Sequence, residues 1–223
     1  MTAGLPGRVT GRQGSCPNCG APILFIWSGA VQTTCAYCQS VLVRHDVDLE
    51  RVGSVGDVPP DSSPVQRGAT GRWRARGFTV VGRIIYAHER GGWNEWHLRF
   101  DDGAGGWLSD AQLEWAVTTL VEPTPRLPFG LGLRRGQAFA IGDESYTVTS
   151  ITRARYVGVE GELPFVYWDK AEVPFADLRT PGARFATVDF SEDPPLVFAG
   201  EFVAFDDLQL SGLRAFEGWP PPR

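Results

Sequence analysis

Four cysteines, Cys16, Cys19, Cys35 and Cys38, are the only ones in the chain, and they stand as two Cys-x-x-Cys pairs with fifteen residues between them. Two residues inside each pair let one tight turn aim both thiolates at the same point. Two such turns complete a tetrahedral site of the kind that holds Zn²⁺ at ~2.3 Å from each sulfur. Asn18-Cys19-Gly20 and Tyr37-Cys38-Gln39 place small or polar residues where the backbone must bend and where amides can face the sulfurs. With all four positions filled by protein thiolates the site is closed, so one structural Zn²⁺ is expected. His45 would be a superfluous fifth donor. The competing reading, two disulfides, needs an oxidising compartment. The first fifteen residues contain no apolar stretch of the secretory type, so a reducing, cytoplasmic location is expected.

A second constellation is Trp93-Asn94-Glu95-Trp96-His97, which runs into Asp101-Asp102-Gly103 and Gly105-Gly106-Trp107. As an enzyme site, Glu95 or Asp101 would be a general base, His97 a proton shuttle, and Trp93 and Trp107 pocket walls. As plain structure, Trp96, Leu98 and Phe100 are core on one face of a strand, His97 and Arg99 face water, and Asp101-Asp102-Gly103 turns the chain. The structural reading is preferred, because one histidine beside one carboxylate, with no nucleophile, is thin support for catalysis. Gly103-Ala104-Gly105-Gly106 leads into Trp107-Leu108 and not into a helix start, so no phosphate-binding loop is read. Glu160-Gly161-Glu162-Leu163-Pro164 reads as an exposed acidic loop, and His88 as a polar residue of the hairpin Tyr86 to Gly92.

These residues must be positioned by short strands. The chain has 223 residues with 27 Gly, 17 Pro and 12% aromatics, a composition of turns and β-patterned runs. Phe78 to Tyr86, Trp96 to Phe100 and Tyr146 to Ile151 alternate or are β-branched and aromatic, and Ser109 to Leu120 reads as a turn followed by a strand. Arg67-Gly68 precedes Phe78-Thr79-Val80 by the spacing with which Arg135-Gly136 precedes Tyr146-Thr147-Val148, an offset of 68. This suggests an internal duplication, whose copies close on Trp107 to Leu113 and on Phe205 to Leu208, the second with an insertion over 153–182. The expected fold is mainly β: an N-terminal zinc ribbon followed by two small SH3-like β-barrel units. The expected divisions are a disordered N-terminus 1–14, the ribbon 15–45, a linker 46–66, a first unit 67–121, a linker 122–135, a second unit 136–210 with its insertion and a C-terminal tail 211–223.

Charge narrows the partners. Up to His45 there are three Arg and no acid, so the remainder holds 18 basic and 26 acidic residues. Without a basic cluster or an RNP-like aromatic motif, nucleic-acid binding is disfavoured, though it remains an alternative because ribbons occur in such proteins. The apolar runs are far shorter than the roughly 20 residues of a membrane span, so no membrane insertion is expected. Trp73, Trp93, Trp168 and Trp219 lie in loop-like or Pro- and Gly-flanked contexts and are expected to face solvent as contacts for a protein partner. Small barrels are expected to leave little interior volume for a substrate. Carbohydrate binding is the minor rival for these aromatics.

Gly82-Arg83-Ile84-Ile85-Tyr86, Trp93-Asn94-Glu95-Trp96, Phe100-Asp101-Asp102-Gly103, Gly106-Trp107-Leu108 and Glu160 to Pro164 resemble a bacterial domain of unknown function, number 4178, over about 66–210. The resemblance implies no catalytic residues. It implies an accessory ribbon and a place in gene clusters with polyamine-synthesis-like and small membrane proteins, hence a non-enzymatic scaffold of an envelope- or stress-linked assembly.

Overall fold

Runs of alternating apolar and polar residues, cut by tight turns, form fifteen β-strands and one 3-10 turn among the described residues of the computed structural model, which are 13–45, 48–54, 63–122, 132–166 and 171–215. No helix among them is long and apolar enough to cross a membrane. The cysteine-bearing segment makes two small sheets. β1 (Gln13–Ser15) pairs with β2 (Pro22–Leu24); β3 (Gln32–Thr34), β4 (Ser40–His45) and β5 (Asp48–Ser54) form the other. Ile23, Phe25, Ala30 and Leu42 fill the space behind Cys16 and Cys35. β5 lies inside the stretch read as a linker. Its Leu49 packs on this ribbon core and its Val52 on the neighbouring barrel cluster, so two apolar residues suffice to cover the open edge of β4.

The remaining strands are β6 (Thr70–Trp73), β7 (Arg76–His88), β8 (Gly91–Phe100), β9 (Gly105–Ala111), β10 (Glu114–Leu120), β11 (Ala138–Ile141), β12 (Glu144–Gly161), β13 (Glu172–Arg179), β14 (Arg184–Asp189) and β15 (Leu196–Val203). β6 to β10 and β11 to β15 are two antiparallel meanders of the same order, joined where β10 pairs with β15. A second join, β7 with β12 from Gly82↔Gly161 to Ala87↔Arg155, closes the eight strands between them into a barrel. β6 and β11 remain outside the ring as hairpin arms.

A repeat at that offset is visible in the backbone. Gly68 N–H donates to the Val80 carbonyl and Val80 N–H to that of Ala69, each at 2.8 Å; Gly136 to Val148 and Val148 to Gln137 repeat both bonds at the offset of 68. Both glycines have positive φ, 86° and 83°, which favours glycine there. Beyond this the copies drift apart: two residues join β7 to β8, whereas ten, 162–171, join β12 to β13. Most of the stretch read as an insertion is therefore barrel wall, and the surplus is the 162–171 connection and the longer β12. By strand order and register, Trp107 corresponds to Phe185 of β14, not to Phe205.

Strand alternation gives the wall two apolar faces. Outside, Trp96, Leu98, Phe100, Leu108 and Val117 pack under Val65, Ala69 and Leu208, and in the second copy Val148, Leu178, Val188 and Val197 pack with Leu133. Inside, the two copies face one shared space. The mainly-β class and the small N-terminal sheets match the expectation; the pairing does not establish an SH3-like form for either unit, since each borrows the other's strands to close.

Glu162 ties ribbon to barrel. Its carboxylate accepts the backbone N–H groups of Ile26 at 2.6 Å and Trp27 at 2.8 Å, its carbonyl accepts from His97 Nδ1 at 2.8 Å, and its own N–H donates to Val81 at 2.9 Å. Next to it, Leu163 exchanges backbone bonds with Val31 and Gln32 of the ribbon. A Cβ on Gly82 would stand 2.1 Å from the Glu162 carbonyl oxygen, so only glycine admits this approach. The acidic loop expected at the surface is thus buried at its centre, Glu162 being 3% exposed and Leu163 fully enclosed. Sequence shows acid content but not that two backbone donors 135 residues away need an acceptor. Glu162→Ala is expected to destabilise the chain by about 3 kcal/mol in urea unfolding, because two part-buried N–H groups lose their acceptor together. Glu172→Ala, which breaks only an exposed pair with Arg153, is expected to cost less than about 0.5 kcal/mol.

Candidate functional site

The two Cys-x-x-Cys turns have the same construction. Gly20 N–H donates to the Cys16 carbonyl and Gln39 N–H to that of Cys35, and both acceptor turns end on a residue with positive φ, 74° at Gly20 and 57° at Gln39. The turns bring Cys16 and Cys38 sulfurs to 3.6 Å and Cys19 and Cys35 sulfurs to 3.7 Å, with all four inside 4.8 Å of one another. These separations are too long for an S–S bond of ~2.05 Å. They fit the edge of a sulfur tetrahedron, about 3.8 Å when each sulfur lies ~2.3 Å from a central ion. Four sulfurs this close cannot all carry charge without a cation. Cys38 is drawn down to about 5 by hydrogen bonds from Asn18 and Ser40. Cys19, although an Ala21 backbone bond favours its thiolate, is pushed up to about 12 by Cys38, burial and the other two sulfurs. The four cysteines therefore form a group able to hold a metal ion. His45 instead meets Glu50 at 3.0 Å on the exposed side of β4 and β5.

The second site is the inside of the barrel, a cavity of about 220 Å³ lined from all eight strands of the ring. An eight-stranded ring is just wide enough for either packed side chains or one small ligand. Here Tyr86, Trp93 and Phe175 cluster on one side, with Tyr86 and Trp93 stacked at 4.8 Å and Phe175 edge-on to both. Trp107 lies toward the ribbon, against Phe165 and Phe198. Below it His97 sits between Trp107 and Trp27 of the ribbon, each 4.9 Å away, and closes that end. Its Nδ1 carries the proton, since the partner is a carbonyl, and burial lowers its pKa to about 4. His97 is thus a neutral, buried strut, where sequence expected a residue facing water.

Glu95 points into the cavity. Ser109 donates to both carboxylate oxygens, at 2.9 and 2.8 Å, and Trp93 Nε1 donates at 3.0 Å. Glu95 is enclosed by the wall, and the surface it retains faces the cavity. Burial pushes its pKa up to about 8 against those hydrogen bonds, with repulsion from Asp177 and Asp110 added. The second copy repeats the arrangement. Asp177 occupies on β13 the place of Glu95 on β8, opposite Thr187 as Glu95 is opposite Ser109, and Thr187 and Ser150 are its hydrogen-bond donors. A third acid, Asp189, accepts the Ser191 N–H at 2.8 Å. Burial raises both aspartates.

Of the catalytic candidates, Glu95 and His97 share the inner face of β8 but serve different ends of the barrel, and Asp101 lies exposed in the β8–β9 turn. The three do not converge. Of the partner candidates, Trp73 is 7% exposed, packed near Phe100 and donating to Glu201 at 2.9 Å. Trp93 lines the cavity, and Trp168 and Trp219 lie outside the described residues. Sequence reasoning missed Asp177, Asp189, Ser109 and Thr187. The available signal was Trp93-x-Glu95-x-His97 against Phe175-x-Asp177-x-Arg179, and Trp107-x-Ser109 against Phe185-x-Thr187, which the closing motifs chosen for the duplication obscured.

The fold and these sites define a closed eight-stranded β-barrel capped at one end by a four-cysteine ribbon. The chain belongs to the family described as Domain of unknown function (DUF4178), which matches residues 66–205. That span covers the barrel and excludes the cysteines. No curated protein and no solved structure matches the chain.

The raised pKa of Glu95 makes stability depend on pH. The folded state holds its proton up to about pH 8, whereas an unfolded glutamate releases it near 4.5. This contribution is therefore complete below about 4.5 and is lost as pH rises toward and through 8. Glu95→Gln removes the titration while keeping an acceptor for Ser109. Compared with the variant, the wild-type chain is expected to lose stability progressively across that window in urea titrations; parallel curves would contradict the assignment.

Proposed function

We propose that this protein binds a small organic molecule inside its barrel without transforming it, and that its four cysteines hold one structural Zn²⁺ that keeps the ribbon on the barrel's end. The observation that carries the first part is the cavity: a concave, largely aromatic space with a few fixed polar groups, which is how ligand sites are built. Its volume, about 220 Å³, lies below the ~300–1,000 Å³ typical of drug-sized ligands, so the ligand is small. The non-catalytic reading rests on His97, whose Nδ1 is committed to the Glu162 carbonyl, and on Asp101, which lies outside the cavity. A protein-scaffold role drew its support from solvent-facing tryptophans, and Trp73 and Trp93 do not supply it. A reducing, cytoplasmic setting belongs to the same proposal, since free thiols persist there.

For zinc, the four sulfurs at tetrahedral spacing are the support, and a closed thiolate set couples metal binding to folding. Chain purified under reducing conditions is expected to contain one zinc by elemental analysis. Cys16→Ser with Cys19→Ser is expected to release it and to remove the hydrogen-exchange protection of the ribbon amides. Zinc-free wild-type chain with a protected ribbon would refute this.

For the cavity, the neutral fluorophore N-phenyl-1-naphthylamine serves as probe. Saturable binding of one probe per chain is expected, with loss in Ala116→Trp, because Ala116 lines the cavity from β10 and an indole there fills it. Near-UV circular dichroism checks that the variant is folded. Absent binding to wild type, or unchanged binding to a folded variant, would remove the proposal.

A further inference from the structure

We infer that the barrel cavity selects a small organic cation, a molecule carrying a protonated or quaternary nitrogen on a compact apolar body. The inference rests on the ligand-binding reading of the same cavity and specifies what it takes.

The charges that line the cavity are unbalanced. Arg179 is its one Arg or Lys among the described residues, and that guanidinium is engaged by Glu114 at 2.8 Å at the cavity edge, while its face lies over Phe202 at 4.1 Å. Glu95, Asp177 and Asp189 have hydroxyl, indole or backbone N–H donors, and no ion pair joins any of them to a cation among the described residues. His88 lies at the rim near Trp93. The inner wall therefore offers three acids in a low-dielectric space; Asp177 feels the charge of Arg179 but forms no ion pair with it, since that guanidinium is held by Glu114. An anionic ligand would find no unengaged Arg or Lys on this wall and would oppose ionisation of each acid. A neutral ligand would leave Glu95 holding its proton, whereas a cation would favour its ionised form and pair with it.

The aromatic lining points the same way. Ring faces attract cations through their quadrupole, and tryptophan does so most strongly. Trp93 lies two residues from Glu95 on the inner face of β8, and Phe175 two residues from Asp177 on that of β13, so each copy supplies an aromatic and a carboxylate together. Duplication thus sets two aromatic–acid pairs into one closed space. Ser109 and Thr187 hold the two carboxylates in place from the neighbouring strands. Such an arrangement recognises an ammonium group by charge and by ring contact, and leaves the ligand's apolar body against Ile84, Phe165 and Phe198.

The test compares two probes of the same skeleton at pH 7, 2-phenylethylamine, which carries an ammonium group, and 2-phenylethanol, which does not. Both are titrated calorimetrically and by displacement of N-phenyl-1-naphthylamine from the full-length, zinc-loaded chain. Wild type is expected to bind the amine roughly tenfold or more tightly than the alcohol, a ratio within reach of one cation–ring contact plus one ion pair. The double variant Glu95→Gln with Asp177→Asn is expected to bring the ratio near one, with near-UV circular dichroism showing that its barrel is still folded. Equal or weaker binding of the amine by a wild-type chain that binds the naphthylamine overturns the cation inference and leaves the ligand-binding reading standing. A tenfold preference that survives the double substitution also overturns it, since the carboxylates would not be its source. Failure of wild type to bind the naphthylamine at all removes the ligand-binding reading itself.

Discussion

The carboxylate of Glu162 holds together parts of the chain that sequence keeps far apart. A buried carboxylate is costly unless donors surround it, and here the donors are the backbone N–H groups of Ile26 and Trp27 in the cysteine-bearing segment. Burial raises its pKa while those two N–H groups and the more distant charges of Arg67 and Arg99 pull it back down. The same residue's carbonyl fixes His97, and its N–H caps the β7 edge at Val81. Removing the side chain therefore strands two donors at once.

The cavity follows from closure. A meander of five strands buries one face against its own covering segments and leaves the other face apolar and open. Two meanders of the same strand order can satisfy each other by pairing β10 with β15 and β7 with β12. The outer faces then carry the large packed side chains, Trp96 and Phe100 among them. The inner face cannot pack as densely, because hydroxyls and carboxylates at 95, 109, 177 and 187 take the central positions of their strands. Where side chains are short and polar, space remains.

Some of this was legible in the sequence and some was not. Cys16, Cys19, Cys35 and Cys38 declare their geometry because spacing within a turn is local, and the β character of Phe78 to Phe100 follows from local alternation. The early half of the duplication was readable because Gly68 and Gly136 both need positive φ. What stayed hidden depends on contacts between distant residues. Nothing near Glu162 shows that it will be buried, Trp73 stands beside Arg and Gly yet turns inward to Glu201, and closure through β7 and β12 is a matter of topology. The inner acids were obscured for a further reason: strand register, not sequence offset, aligns Glu95 with Asp177.

The central claim is that the ribbon and the closed barrel form one structure joined through Glu162. Native-state hydrogen exchange on the zinc-loaded chain tests it most directly. The Ile26 and Trp27 amides, which sit in a loop and have no strand partner, are expected to be protected, and Glu162→Gln is expected to lower their protection together with that of the ladder amides at the Gly82 to Ala87 end of β7. Exchange of Ile26 and Trp27 in wild type at the rate of an open loop would contradict the account.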